Sequence, residues 1–301
     1  MTTVRSTPRS FIEGLVFPEG PRWYGNRLWL SDIHGHRVMA FTPEGATEVV
    51  ARLDQPSGLG FLPDGSLLAV SMRRRLLVRV AAGEQSIHAD LTGFAQDFAN
   101  DMIVDTEGRA YVGCRAHRQR GKPPSIDCLA LVQPDGAVEL AAGGLVGPNG
   151  SVITPDGSTL IVVETHAHRI TAFDRDRQGR LSNRGPFAVL ADKTFPDGMC
   201  LDESGAVWIG TGFGGRFLRV QEGGEISDEL RLGDRWGVAC VLGGSDRRTL
   251  YLLTAATTLD ALQAMVNADA TDADAHLTWA LTQSTGRVEA VEVEVPGAGR
   301  P

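Results

Sequence analysis

Residues 148–162 read PNGSVITPDGSTLIV, and this stretch decides the fold. An apolar pair, Val152 and Ile153, follows a Pro-Asn-Gly lead. Pro155-Asp156-Gly157 then supplies a turn with a residue free to take positive φ, and Leu160-Ile161-Val162 returns. The pattern reads as a β-hairpin. It recurs at 18–30 (PEGPRWYGNRLWL), 56–70 (PSGLGFLPDGSLLAV), 99–112 (ANDMIVDTEGRAYV) and 196–209 (PDGMCLDESGAVWI), and more loosely at 237–252. The second residue of each unit is Glu19, Ser57, Asn100, Asn149, Asp197 and, approximately, Val238. Strand-rich units repeating at about 40 to 50 residues are the signature of propeller blades. Six units predict an all-β, six-bladed β-propeller in one domain, residues 1–301.

Two more strands per blade fit between the hairpins, for example residues 37–41 and 47–51 in the first blade. Residues 287–295 alternate Val and Glu and are expected to add a strand to a terminal blade and close the ring. Residues 1–12 are polar and are expected to be a flexible N-terminus. Residues 259–276 break the pattern. They are rich in Ala and Asp, with Leu259, Leu262 and Val266 at helical spacing. They predict an insertion in the last blade, part short helix and part mobile loop. It reads as a solvated excursion, with a substrate lid as the alternative.

Composition narrows the class. The chain of 301 residues is 42% hydrophobic and 22% charged, which is ordinary for a globular protein. Its apolar runs are far short of the roughly 20 residues a membrane helix needs. The N-terminus lacks the apolar stretch of a secretory signal, so the expected location is the cytoplasm. A net charge of −8, with basic residues scattered apart from Arg73-Arg74-Arg75, argues against a nucleic-acid partner. Cys114, Cys128, Cys200 and Cys240 form no C-x-x-C pair and are expected to be free thiols. Trp23, Trp29 and Trp208 fall in strand runs and are expected between blades.

In a propeller the innermost strand of each blade lines the channel, so equivalent positions converge on the axis. Four of the six carry an oxygen donor: Glu19, Asn100, Asn149 and Asp197. Two carboxylates and two amide carbonyls suit one hard divalent cation. Asn-Gly and Asp-Gly are also turn pairs, so Asn149-Gly150 and Asp197-Gly198 each have a purely conformational reading.

The ordered set E-G-P at 19–21, N-D at 100–101, P-N-G at 148–150 and P-D-G-M at 196–199 resembles the gluconolactonase, senescence marker protein and luciferin-regenerating enzyme family. The resemblance continues through residues 239–244 and 249–251. It implies a six-bladed propeller with one divalent cation at the channel mouth, calcium or zinc first, with magnesium, manganese or iron(II) as alternatives. It implies hydrolysis of a small-molecule lactone or ester. By resemblance Glu19, Asn149 and Asp197 match metal ligands, and Asn100 matches an Asn that contacts substrate or metal. Asp197 also matches the general base. Such a cation would stabilise the developing oxyanion and ease deprotonation of water.

The chain departs from the pattern at Phe98, where sugar-lactone members carry an Arg that grips substrate hydroxyls. An aromatic ring cannot make those bonds, which favours a substrate less polar than a sugar lactone. Phe98 as packing beneath the channel rim is the alternative. His166 and His168 follow the fourth repeat's return strand, and a spacing of two sets both on one face of a strand. His166 is expected to contact substrate. His34 and His36 are their counterparts in the first repeat. His117 lies in an irregular segment, residues 114–127, expected to cross the entrance and shape specificity. Ser57 is short enough to leave room for substrate. Two other readings stay open: another metal-assisted reaction in the same pocket, such as phosphotriester cleavage or dehydration, or a propeller used only for binding with a structural ion.

Overall fold

The computed structural model describes residues 3–116, 127–268 and 271–299. They form six four-stranded antiparallel sheets. The first five blades each use four consecutive strands, beginning with the inner strands Pro18–Tyr24, Pro56–Phe61, Phe98–Val104, Pro148–Ile153 and Met199–Leu201. Trp236–Gly243 opens the sixth. Each inner strand touches the inner strands of both neighbouring blades, and the contacts return from the sixth blade to the first, so the ring is closed.

Burial explains the local sequences. Pro56–Phe61 and Leu67–Ser71 are buried at every position, because blades stack on both of their faces. The outer strand Thr47–Arg52 buries only Ala51 fully. Inner strands therefore read as short apolar runs and outer strands as weakly alternating ones. One apolar cluster fills each gap between blades. Leu59, Phe61 and Ala69 meet Val38 and Ala51 between the first and second blades, and Leu160 and Val162 meet Tyr111 and Leu131 between the third and fourth. Trp208 is fully buried between the fifth and sixth. Trp23 stacks on Tyr251 at 5.6 Å and Trp29 meets Phe61 edge-on at 5.0 Å, so all three expected tryptophans lie between blades. All four cysteines are free, and Cys200 and Cys240 are buried.

The ring closes differently from the expectation. Arg9–Leu15 is not flexible; it is the outermost strand of the sixth blade, paired with Ser284–Glu292. Farther out, Val4 bridges Val293. The C-terminal strand is third in its sheet, inside the N-terminal one. The N-terminal strand escapes sequence reading because only Ile12 and Leu15 of it are fully buried.

The insertion is more ordered than expected. It forms helix α1, Leu259–Asn267, and helix α2, Ala273–Gln283. Thr258 caps α1, accepting from the Ala261 amide, and Asp272 caps α2, accepting from Asp274 and Ala275. Met265 of α1 and Ala280 of α2 are fully buried against Val16. Gln55 Nε2 donates to Val266 O at 3.1 Å and Arg73 Nη1 to Ala268 O at 3.1 Å, which docks α1 on the second blade. Among the described residues no helix is long and apolar enough to cross a membrane.

Candidate active site

Glu19, Ser57, Asn100 and Asn149 sit where the chain enters an inner strand, which is bulged there, and Asp197 lies two residues before the regular strand Met199–Leu201. Pairing with the next strand slips by one residue between Glu19 and Arg22, between Pro56 and Leu59, between Ala99 and Met102, and between Pro148 and Ser151. A bulge re-aims a side chain that a regular strand would point between blades. The following glycine has a steric purpose. A Cβ on Gly150 would lie 2.6 Å from the Met199 amide nitrogen, so only glycine admits the neighbouring blade. Gly58 and Gly198 are equally crowded, by Asp101-Met102 and by Ala239. Asn149-Gly150 and Asp197-Gly198 are therefore inter-blade junctions rather than turn pairs.

Three of the four oxygen donors form one hydrogen-bonded chain. Asn100 Nδ2 donates to Asn149 Oδ1 at 3.0 Å. Asn149 Nδ2 donates to Asp197 Oδ1 and, at 3.1 Å, to Thr165 Oγ1. Glu19 is buried beside them, its Oε2 accepting from the Gly20 amide at 2.5 Å. Burial pushes the Glu19 carboxyl well above the usual carboxylate range, and the charges of Asp197 and Asp101 push it further. Burial likewise lifts Asp197 to about 7, with Arg115 pulling against it. Asp101 is raised by burial and held down by Arg22, whose Nη2 lies 3.6 Å away.

These groups fit a hard divalent cation. Two buried acids that raise each other's proton affinity lack sufficient positive charge, and a dication supplies it. The donors are carboxylate and amide oxygens. Among the described residues no three His, Cys, Asp or Glu side chains gather as a metal site.

A cavity of about 790 Å³ opens over Asn100, Asn149 and Asp197. Phe98, Arg115, Thr165 and His166 line the side of the third and fourth blades. Phe195, Phe213 and Trp236 form an aromatic wall, with Phe195–Phe213 at 5.8 Å and Phe213–Trp236 at 4.4 Å. Phe17, Met72 and the α1 residues Leu259, Leu262 and Val266 complete it. The insertion therefore lines the cavity instead of standing apart in solvent. A second cavity, about 830 Å³, lies at the other end of the strands, among the turns at residues 105–109 and 154–158. Its principal buried charges, Asp105, Arg109 and Arg175, pair with one another. It lies away from the acid cluster.

The remaining expected residues fall as follows. Phe98 lines the cavity, beneath the Arg115 guanidinium at 5.3 Å. His166 lines it too, accepting from Arg115 Nη2 at 3.1 Å. The two histidines do not share a strand face. Thr165–Ala167 is a 3-10 turn ending at His168 with φ 52°, and His168 Nδ1 turns away to donate to Thr194 O at 2.7 Å. Ile33–Gly35 repeats this turn in the first blade, ending at His36. Ser57 does not line the cavity; its Oγ donates to Asn100 O at 2.8 Å and ties the second blade to the third. His117 lies outside the described residues.

Sequence reading missed Arg115, the Arg22–Asp101 pair and the aromatic wall. Arg115 had one available signal, its place in the strand returning past Phe98. The bulge hides it: a straight count from the turn at residues 105–109 sets Phe98 opposite Ala116, whereas the real partner is Arg115.

Comparison with known proteins agrees with this geometry. A family profile described as SMP-30/Gluconolactonase/LRE-like region matches residues 17–256. The chain is 26% identical to 6-deoxy-6-sulfogluconolactonase of Pseudomonas putida over 295 residues, covering 95% of this chain and 94% of that one. Among solved structures it is similar to a luciferin-regenerating enzyme, with a TM-score of 0.78, 18% identity and coverage of 97% and 98%. It is similar also to a calcium-binding regucalcin of Agrobacterium tumefaciens, with a TM-score of 0.74, 20% identity and coverage of 100% and 96%.

Proposed function

Because the chain belongs to the SMP-30/gluconolactonase/LRE-like family, we propose that it is a hydrolase that opens a lactone to a hydroxy acid with the help of one divalent cation. The observation that carries this reading is the convergence of Asn100, Asn149 and Asp197 on the floor of one cavity, with Glu19 buried close enough to feel the Asp197 charge. Glu19, Asn149 and Asp197 would hold the cation, with Asn100 beside them. Its oxygen donors favour calcium, and a solved relative is a calcium-binding protein. Bound there, the cation would polarise the lactone carbonyl and make water a better nucleophile.

The chain's own residues supply the rest. Asp197 is the base: its carboxylate lies on the cavity floor, where it can take a proton from attacking water and later release it. Asn149, itself held by Asn100, donates to the Asp197 carboxylate and so sets the direction of attack. Phe195, Phe213 and Trp236 exclude bulk water. The aromatic wall and the apolar α1 face favour a substrate less polar than a bare sugar lactone.

A panel of alkyl, aryl and sugar lactones, assayed with calcium and with chelator, tests the proposal. Turnover should vanish with chelator and return with calcium. Asp197→Asn should lower kcat by about 10²- to 10⁴-fold. If no lactone turns over with calcium, zinc, magnesium, manganese or iron(II), the proposal fails.

A further inference from the structure

Phe98 stands where sugar-lactone members of the family have a guanidinium, yet the cavity contains one. Arg115, on the second strand of the same blade, pairs in register with Phe98 and lays its guanidinium 5.3 Å over that ring. Its Nη2 is fixed at 3.1 Å from His166 Nε2. Gly147 backs the pair with φ +70°, and a Cβ there would lie 2.9 Å from His166 Cδ2 and 3.3 Å from Arg115 Nη2. Arginine, imidazole and phenyl ring thus leave the guanidinium little freedom. The side chain lines the cavity, so the rest of the guanidinium edge is open to a bound molecule. A charged donor already fixed in place offers a hydrogen bond at little ordering cost.

The charges around Arg115 indicate what that molecule is. The guanidinium faces Asp127, Asp197 and Glu19. Asp127 is held in place by the amides of Ala116 and Gly147, each at 3.0 Å, and balances Arg115. Arg22 balances Asp101. Glu19 and Asp197 would be left to one dication, and Asp97 and Arg73 add one charge of each sign to the lining, so among the described residues the loaded site would carry no net charge and suit an uncharged molecule. The cavity's side toward the first two blades carries an apolar patch of Phe17, Leu259, Leu262 and Val266, bordered by His34, Gln55 and Arg73.

The geometry points to Arg115 as a specificity-determining residue whose guanidinium donates to an oxygen of the substrate other than the reacting ester. The substrate class is a neutral amphiphilic lactone. It carries a hydroxyl or second carbonyl toward the third and fourth blades and a hydrocarbon substituent toward α1. This inference rests on the lactonase reading and narrows it.

The experiment compares alkyl-substituted lactones with and without one ring hydroxyl, on the calcium-loaded full chain and its Arg115→Met and Arg115→Lys variants. The wild type should favour the hydroxylated series by about ten- to a hundredfold in kcat/KM, the range of a hydrogen bond to a charged donor. Arg115→Met should erase that preference, bringing the ratio of kcat/KM between the two series to about one, on top of whatever change the loss of its charge near Asp197 causes equally in both. Arg115→Lys, which keeps the charge and loses the planar fork, should restore part of it. Calorimetric binding of the matching hydroxylated and plain cyclic ketones, which cannot be hydrolysed, separates this inference from the activity. If ketones bind with the Arg115-dependent preference and no lactone turns over, Arg115 keeps its role and the lactonase reading falls. Equal losses for both series in Arg115→Met, or no preference for the oxygen substituent in either assay, overturn the inference.

Discussion

At the scale of single residues, the site concentrates acid charge that water would normally disperse. Asp197 has its proton affinity raised by burial to about 7, above the value near 4 that it has in an unfolded chain. The folded, cation-free protein therefore prefers Asp197 protonated. Its contribution to stability is full below about pH 4 and is lost as pH rises through about 7. In chelator, the melting temperature of the wild type should fall relative to Asp197→Asn across that window. Calcium should remove the fall, because the ion stabilises the carboxylate. Parallel melting curves for the two proteins in chelator would contradict the charge argument. Gly150 is a second residue-scale case. Alanine there meets the Met199 amide, and overpacking of this kind costs about 1–3 kcal/mol. Gly150→Ala should lower thermal stability by that amount in a melt and weaken calcium binding, since Asn149 moves with it.

At the scale of elements, the helical insertion packs against two histidines that are neutral in the fold, His34 and His36. His276 Nε2 donates to His34 O at 3.0 Å, and its ring meets His36 edge-on at 4.6 Å. Burial lowers His34 to about 3 and His36 to about 4, and His276 lowers both further. Asp54, 3.5 Å from His36 Nδ1, acts in the other direction, while Arg73 adds to the depression of His36. Depressed histidines contribute stability that is present above their unfolded value of about 6.5 and is lost as pH falls toward 4. Hydrogen exchange in residues 259–283, corrected for the intrinsic rate, should speed up from pH 7 to pH 5. His36→Gln, which cannot take the charge, should flatten most of that change. The sequence showed Leu259, Leu262 and Val266 on one helical face. It could not show what that face covers, because Val16, Gln55 and Arg73 are more than 180 residues away along the chain.

At the scale of the whole molecule, closure depends on the N-terminal strand. Arg9–Leu15 covers the edge of Ser284–Glu292, buries Ile12 and Leu15, and sets Phe11 5.1 Å from Tyr251. Burying such side chains is worth about 1.5–3 kcal/mol each, so deleting residues 1–15 should cost at least about 3 kcal/mol in a denaturant melt. The freed edge should also promote association, visible by size-exclusion chromatography, since an unpaired strand invites another chain. A truncated protein as stable and as monodisperse as the full chain would show that the ring closes without this strand.

The sequence alone determined the blade count, the inner strands and the four oxygen donors. All three follow from local chemistry repeated at a fixed phase: apolar runs bounded by glycine turns, with a polar residue at each strand entrance. Tertiary structure alone decided that the N-terminus seals the ring, that α1 walls the cavity, and that Arg115 rather than Phe98 brings a positive charge to it. Those outcomes depend on pairings between distant segments and on a one-residue bulge that reverses which face a side chain occupies. Neither leaves a period in the sequence to read.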